Sequence, residues 1–189
     1  MRTVELRRHA ERDANEDLTA KGLEQCEAAK RTLEFPYDAY AVSPAKRAKL
    51  TMQRLGGGPS IEELRLAPRP RPPFEAFARS HQELMAAGMD AVTAWYAIPG
   101  ANPALAEVGR VALEAVLGIA AKLADGGRAL AVSHGGTIEP FVVAGLGRAY
   151  PSIFGNRELG YCEGVKAQVL DGRVVRVDVI RLRVHPMAR

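Results

Sequence analysis

Three short clusters of histidine, arginine and small residues follow apolar runs along this chain of 189 residues. The first is LRRHAE at residues 6–11, the second surrounds Arg47, and the third surrounds His134. A neutral imidazole can attack phosphorus, and a planar guanidinium can bind two phosphate oxygens at once. These residue types therefore suit the binding and transfer of a phosphoryl group.

The first cluster contains His9, the candidate nucleophile. Its positively charged neighbours disfavour the imidazolium and keep the ring neutral, as an attacking nitrogen requires. Successive side chains of a strand point to opposite faces, so only one of Arg7 and Arg8 can point toward a site. Taken alone, this cluster is also compatible with a basic surface patch that holds a hydrogen-bonded histidine.

The other two clusters lie where predicted helices begin. Arg47 falls in the first turn of a helix, where free backbone amides also favour an anion, although a solvated basic helix face is the alternative. His134 lies between an apolar run and Gly135-Gly136, whose backbone can approach a ligand and present amides to oxygen. His134 can donate a hydrogen bond to a phosphoryl oxygen, or it can cap the helix.

Apolar patterning predicts the elements that position these clusters. Strands are predicted at residues 3–6, 39–42, 61–66 and 128–132, and a hairpin at 164–170 and 173–184 around Asp171-Gly172. Thr19 is expected to cap a helix that continues to about residue 34, and Asn102 is expected to cap another. Further helices are predicted at 45–55, at 74–96 with an interruption near Gly88, and at 135–146.

Strands that alternate with helices predict an α/β fold, a three-layer α/β/α sandwich. Its sheet is expected to be mainly parallel, with an antiparallel C-terminal hairpin. Ligands of such sheets bind outside the carboxyl ends of the strands, so the three clusters are expected to converge there. We predict a single domain over residues 1–189, with a cap insertion at 68–102 that selects the substrate.

Composition narrows the classes of partner. The net charge of +4 suits an anionic ligand, but the basic residues are dispersed and form no stripe with the aromatic residues, so nucleic acid is not expected. We predict no membrane span, and the start of the chain lacks a secretory signal, which favours the cytoplasm. Cys26 and Cys162 are predicted to be buried thiols, and no metal site is expected. A homodimer is one option for the assembly.

The motifs together resemble the histidine phosphatase superfamily, which includes cofactor-dependent phosphoglycerate mutases. The segments that carry the resemblance are RHAE at 8–11, Asn15, LTAKG at 18–22, SPAKRA at 43–48 and SHGG at 133–136. The resemblance implies that His9 forms a phosphohistidine while Arg8, Arg47 and His134 hold the phosphoryl oxygens. Asn15 matches a further phosphate contact, Gly135 is expected to add its amide, and no metal or cofactor is required.

The proton donor is the point at which the chain departs from that family. Many members carry an acidic residue after a Leu-Arg pair, whereas here Leu66 follows that pair. Glu63, Glu75 and Glu83 are the alternatives, and we favour Glu75 because it begins a predicted helix at a compatible distance in sequence from Arg47. Without an acid at the site, phosphoramidates or activated esters become better substrates, because their leaving groups need less protonation.

The resemblance predicts an enzyme of the histidine acid phosphatase type, a phosphoric monoester hydrolase that acts on a small phosphorylated metabolite. Three alternatives remain from the sequence. They are a phosphoglycerate mutase-type phosphotransferase, a protein phosphohistidine phosphatase and a phosphate-binding protein without catalysis. The chain is shorter than typical mutases, and the insertion at 68–102 favours a small substrate over a protein.

Overall fold

A computed structural model of the protein describes residues 1–68, 72–155 and 157–182. Its centre is a six-stranded sheet in the order β3-β2-β4-β1-β5-β6. The strands β3, β2, β4 and β1 are parallel to one another, whereas β5 pairs antiparallel with both β1 and β6. The strands are β1 (Arg2–Arg8), β2 (Ala39–Val42), β3 (Ile61–Glu62), β4 (Arg128–Ser133), β5 (Gly164–Leu170) and β6 (Arg173–Ile180).

Helices cover both faces of this sheet, which confirms the predicted α/β class. They are α1 (Ala20–Lys30), α2 (Lys46–Arg54), α3 (Pro72–Glu75), α4 (Ala78–Ala86), α5 (Ala91–Tyr96), α6 (Asn102–Ala121), α7 (Gly135–Leu146) and α8 (Tyr150–Phe154). Ala129 and Ala131 of β4 belong to the core that α6 and α7 share. Leu130 and Val132 belong to the opposite core, with α1 and α2. The central strand is apolar at successive positions because both of its faces are buried.

Local signals explain several boundaries. Thr19 caps α1 by accepting a hydrogen bond from the Gly22 amide at 3.0 Å, as predicted. The helix ends at Lys30 rather than near residue 34, because Thr32 turns back to bond the Ala29 carbonyl at 2.7 Å. The hairpin turn is confirmed by the positive φ of Asp171 (48°) and Gly172 (71°).

Two further predicted boundaries differ from the structure. Asn102 does not cap α6, because a short 3-10 turn at Pro99–Ala101 leads directly into the helix and places Asn102 in helical geometry. The third strand is limited to Ile61–Glu62, and Leu64–Leu66 forms a 3-10 turn. The predicted end of the hairpin at 183–184 and part of the proline-rich segment, at 69–71, lie outside the described residues.

The predicted cap region contains three short helices, α3, α4 and α5. Gly88, with φ of 93°, lies just after α4 and produces the predicted interruption. A second break separates α3 from α4. No helix among the described residues is long and apolar enough to cross a membrane.

Cys26 and Cys162 are both buried free thiols, as predicted. Their sulfur atoms lie 3.9 Å apart, so two residues distant in sequence are in contact. The pair joins α1 to the segment that precedes β5.

Candidate active site

The three clusters converge at the carboxyl ends of the parallel strands β1, β2 and β4. The His9 amide bonds the Ser133 carbonyl at 2.9 Å, and the Ser43 amide bonds the Val132 carbonyl at 3.0 Å. These bonds continue the sheet register just past the strands. The rings of His9 and His134 are consequently 5.0 Å apart between centroids. Arg47, from the first turn of α2, contacts both rings.

The hydrogen bonds of His9 fix its tautomer and leave Nε2 unprotonated. Its Nδ1 lies 2.8 Å from the carbonyl of Ala10, which can only accept, so Nδ1 carries the proton. Nε2 therefore presents its lone pair, toward which the Arg47 Nε donates at 3.1 Å. Burial lowers the pKa of His9 to about 4, assisted by the charges of Arg47 and Arg8 and opposed by the bond to Ala10. At neutral pH the ring is an uncharged base suited to attack.

His134 has the opposite tautomer. Its Nδ1 lies 3.2 Å from a donor nitrogen of Arg47 and must accept, so Nε2 carries the proton and donates to the Ser43 hydroxyl at 2.8 Å. Burial, followed by the neighbouring His9 and Arg47, lowers the pKa of His134 to about 2. Its side chain does not cap α7, although its backbone occupies the capping position. A bound phosphate dianion would favour protonation of Nδ1 and thereby create a donor.

Arg7 and Arg8 occupy opposite faces of β1. Arg7 is fully buried and bonds Glu5 at 2.7 Å and Thr32 at 2.8 Å, so it stabilises the fold. Arg8 is directed to the site, where its guanidinium bonds Glu158 at 2.9 Å. A Cβ added to Gly135 would lie only 3.3 Å from Nη1 of Arg8, so the glycine permits this close approach.

The three carboxyl groups predicted as alternative proton donors have partners or surroundings of their own. Glu63 forms two bonds of 2.8 Å with Arg65, and Glu83 bonds Arg79 on the exposed face of α4. Glu75 is exposed at the end of α3. Among the described contacts, none of these carboxylates bonds His9, Arg47 or His134. Leaving-group protonation by Glu75 therefore stays a prediction.

Asn15 is exposed in the loop before α1, and its backbone carbonyl accepts a bond from Lys46 at 3.3 Å. The next residue, Glu16, pairs with Arg47. Sequence reasoning missed Glu16, and it also missed Glu158, which pairs with Arg8. Both acidic partners come from irregular segments whose position depends on tertiary contacts, so no local pattern marks them.

Tyr161 is a further neighbour that the sequence did not indicate. Its ring lies 4.6 Å from the guanidinium carbon of Arg8 and 5.7 Å from the ring of His9. The aromatic face stabilises the cation and flanks the imidazole. Tyr161 therefore forms one side of the site.

The model of the histidine phosphatase superfamily (branch 1) matches residues 4–177. The chain belongs to this superfamily. The match spans every cluster described above and extends through most of β6. The predicted family membership is confirmed.

Solved histidine phosphatase-like structures share the fold across nearly the whole chain. Phosphoserine phosphatase of Entamoeba histolytica, in complex with 3-phosphoglyceric acid, has a TM-score of 0.71 at 18% identity, covering 97% of this chain and 98% of that one. YhfR of Bacillus stearothermophilus has a TM-score of 0.67 at 22% identity, with 95% and 96% covered. A mycobacterial glucosyl-3-phosphoglycerate phosphatase bound to VO3 has a TM-score of 0.65 at 20% identity, covering 96% and 99%. A search of curated proteins finds no match.

A cavity of about 240 Å³ adjoins the histidine phosphatase site. His134 and Gly136 form the side nearest the site, and Phe74, Trp95 and other apolar residues of the cap region and α6 form the remainder. The ring centroids of Phe74 and Trp95 lie 4.8 Å apart in an edge-to-face arrangement. His134 thus borders an apolar space.

Proposed function

We propose that this protein is a metal-independent phosphatase that hydrolyses a phosphomonoester of a small metabolite through a phosphohistidine at His9. The observation that carries the proposal is the contact of 3.1 Å between Arg47 and the unprotonated Nε2 of a neutral His9. When substrate binds, Arg47 would move this hydrogen bond from Nε2 to a phosphoryl oxygen and free the lone pair. The guanidinium that would bind the phosphoryl oxygens thus lies beside the attacking atom. The cytoplasm as its location remains a prediction from the sequence.

In the first step, the Nε2 lone pair of His9 forms the N–P bond while the ester P–O bond breaks. The electron pair of that bond leaves with the substrate oxygen. Glu75 is the proposed donor of the proton that an alkoxide leaving group would need. Because His9 begins uncharged, the phosphoryl group meets an unprotonated Nε2 rather than an imidazolium.

Charge on the phosphoryl oxygens is stabilised by preorganised donors. Arg47 would exchange its carboxylate partner, Glu16, for phosphate oxygens, whereas Arg8 would keep Glu158 on Nη1 and bind phosphate through its other guanidinium nitrogens. His134 would donate from Nδ1 once the phosphate has raised its proton affinity, and the Gly135 amide at the start of α7 adds a further donor. Asn15 is the remaining proposed contact.

In the second step, a water oxygen attacks phosphorus and the N–P bond breaks. Its electron pair returns to Nε2 of His9, and a proton of the water passes to the carboxylate of Glu75, which restores the acid used in the first step. Inorganic phosphate leaves and the neutral histidine is restored. The cycle consumes one water and needs no redox partner.

The similar structures support a small substrate. The Entamoeba histolytica protein is described as a phosphoserine phosphatase and was solved with a phosphorylated three-carbon acid. The mycobacterial protein is described as a phosphatase of glucosyl-3-phosphoglycerate. Both are similar to this chain over nearly its whole length, which favours a phosphatase over the other activities that the sequence left open.

Release of phosphate from nitrophenyl phosphate, measured with a metal chelator present, tests the proposal. We expect turnover in chelator and loss of at least about 10⁴-fold in His9→Ala, because the covalent route is removed. The near-ultraviolet circular dichroism of the variant should match that of the parent protein. Unchanged turnover in His9→Ala, or activity only after metal is added back, would overturn the mechanism.

A further inference from the structure

We propose that the leaving group of the substrate is a single aromatic ring, so that the enzyme acts on small aryl phosphate monoesters. This inference rests on the phosphatase activity proposed above and names its substrate class. It depends on the position of the cavity, the composition of its walls and the partners of the nearby carboxylates.

The position of the cavity indicates that it would hold the leaving group of the substrate. His134 and Gly136 belong to the segment that would hold the phosphoryl oxygens, and both also line the cavity. In an in-line displacement, the leaving oxygen lies opposite the attacking nitrogen, here Nε2 of His9. The group attached to that oxygen extends past His134, where the cavity begins.

Aromatic contacts preorganise the cavity wall. The Trp95 ring lies edge-to-face with Phe74 on one side and stacks on His81 on the other, at 4.0 Å and 15°. His81 is itself held by a contact of 2.8 Å between Nε2 and the Ala91 carbonyl. The indole therefore has little freedom, and an aromatic ligand would bind without reordering it.

The size and polarity of the cavity suit one ring. A dry apolar cavity of about 150 Å³ can bind benzene, so a volume of about 240 Å³ accommodates one substituted ring and little more. Among the described residues that line it, none carries a full charge at neutral pH. The described part of the cavity thus provides no ion-pair partner for the second charged group of a phosphorylated amino acid or hydroxy acid.

The proton requirement of the leaving group also favours aryl phosphates as the substrate class. Two described carboxylates that contact the cluster, Glu16 and Glu158, pair with its arginines, and Glu75 is exposed rather than enclosed. A phenol has a pKa of about 10, whereas the pKa of an alcohol is far higher and close to that of water. When the P–O bond breaks, a phenolate can carry the electron pair away and take its proton from solvent.

Steady-state kinetics with three substrates separates binding of the aromatic ring from the stability of the leaving group. Phenyl phosphate has a ring and a phenolate leaving group, benzyl phosphate has a ring and an alkoxide, and glycerol phosphate has no ring. We expect kcat/KM to fall in that order. Trp95→Leu and Phe74→Leu should each lower the ratio of kcat/KM for phenyl phosphate to that for glycerol phosphate about 10-fold.

Phe35→Leu is the matched control, because Phe35 is an exposed aromatic residue that precedes β2 at the opposite end of the sheet. The ratio should not change in this variant. Equal ratios in the parent protein, Trp95→Leu and Phe74→Leu would overturn the inference. A phosphotyrosine peptide hydrolysed more than about 10-fold better than phenyl phosphate would refute the restriction to small substrates.

Binding of phosphonates tests the cavity without turnover. Phenylphosphonate should bind about 10-fold more tightly than propylphosphonate by calorimetry. Since Trp95 is the only tryptophan, its fluorescence should change with phenylphosphonate and not with inorganic phosphate. Equal affinities or a silent tryptophan would refute the ring site even if His9-dependent hydrolysis holds. Conversely, ring-selective binding without His9-dependent turnover would refute the phosphatase and leave the ring site standing.

Discussion

The phosphate cluster (Arg8, His9, Arg47 and His134) and the apolar cavity meet at His134, but they are built in different ways. The cluster lies at the ends of three neighbouring parallel strands, and its histidines are fixed by hydrogen bonds of 2.8–3.2 Å. The cavity is built from the short helices α3 and α5 together with the long helix α6, and ring contacts set its aromatic wall. The cluster holds polar and charged groups in position, whereas the cavity provides an apolar space of defined size.

This difference shows that stabilising charge and selecting an apolar group depend on different parts of the fold. Stabilising charge in a transition state requires donors whose positions do not change, and strand ends in a buried sheet provide them. Selecting an apolar group requires only a space of suitable size, which short helices can form. Glu158 connects the two regions, because its carboxylate bonds Arg8 at 2.9 Å and the Val92 amide at the start of α5 at 3.2 Å.

The largest expected effect comes from weakening the cluster while keeping its charge. Arg47→Lys should lower kcat/KM about 10³-fold, because an ammonium cannot bind two phosphate oxygens and both histidines in one plane. Steady-state kinetics with phenyl and glycerol phosphates measures this loss, which should be similar for both substrates. Arg65→Lys is the control, since Arg65 pairs with Glu63 outside the cluster. Equal effects of the two substitutions would contradict the assignment of Arg47.

The next effect concerns the proton affinity of the cluster. Burial lowers the pKa of His9 from 6.5 to about 4, which corresponds to a proton affinity about 300-fold weaker. Both His9 and His134 should stay neutral as the pH falls from about 8 to about 5, the range in which an ordinary histidine becomes protonated. Nuclear magnetic resonance of the imidazoles, assigned with His9→Ala, measures this. A His9 resonance that titrates near the ordinary pKa would refute a neutral, desolvated nucleophile.

Glu75→Gln tests whether the cap side supplies a proton. If Glu75 is the acid, kcat/KM for benzyl phosphate should fall about 10²-fold, while phenyl phosphate should be affected much less. The reason is that an alkoxide needs the proton and a phenolate does not. Glu83→Gln is the matched control on exposed α4. Equal losses for both substrates, or none for benzyl phosphate, would remove Glu75 from the reaction.

The smallest effect should come from the connection between the regions. Glu158→Gln should lower kcat/KM about fivefold, because Arg8 loses a charged partner in a position that solvent partly screens. The same assay with Glu34→Gln, whose carboxylate pairs with Lys166 on the surface, provides the comparison. A loss as large as that of Arg47→Lys would show that the two regions are not separate.

Much of the fold and the centre of the site could be predicted because their signals are local. β4 is apolar from Ala129 to Val132, Thr19 is a capping residue, and a parallel sheet brings strand ends to one edge. These rules alone predicted that His9, Arg47 and His134 would converge. The strict alternation of a strand also explains why Arg7 is buried while Arg8 faces the site.

The remaining features depend on tertiary contacts that no short pattern encodes. His81 is half-buried against Trp95, although nothing in its sequence context indicates that contact. Glu16 and Glu158 reach their arginines from irregular segments, and Asn102 lost its capping role to the preceding turn. His185 lies outside the described residues. The cavity also depends on tertiary contacts, because it forms only when the cap helices and α6 pack beside His134.

Detection of the covalent intermediate tests the central claim most directly. An aryl phosphate is mixed rapidly with the enzyme, the reaction is quenched in alkali, and the modified residue is located by mass spectrometry and phosphorus resonance. We predict one phosphoryl group on Nε2 of His9 during turnover, and none in His9→Ala. Turnover without phosphorylated His9, or a phosphoryl group on another residue, would contradict the account.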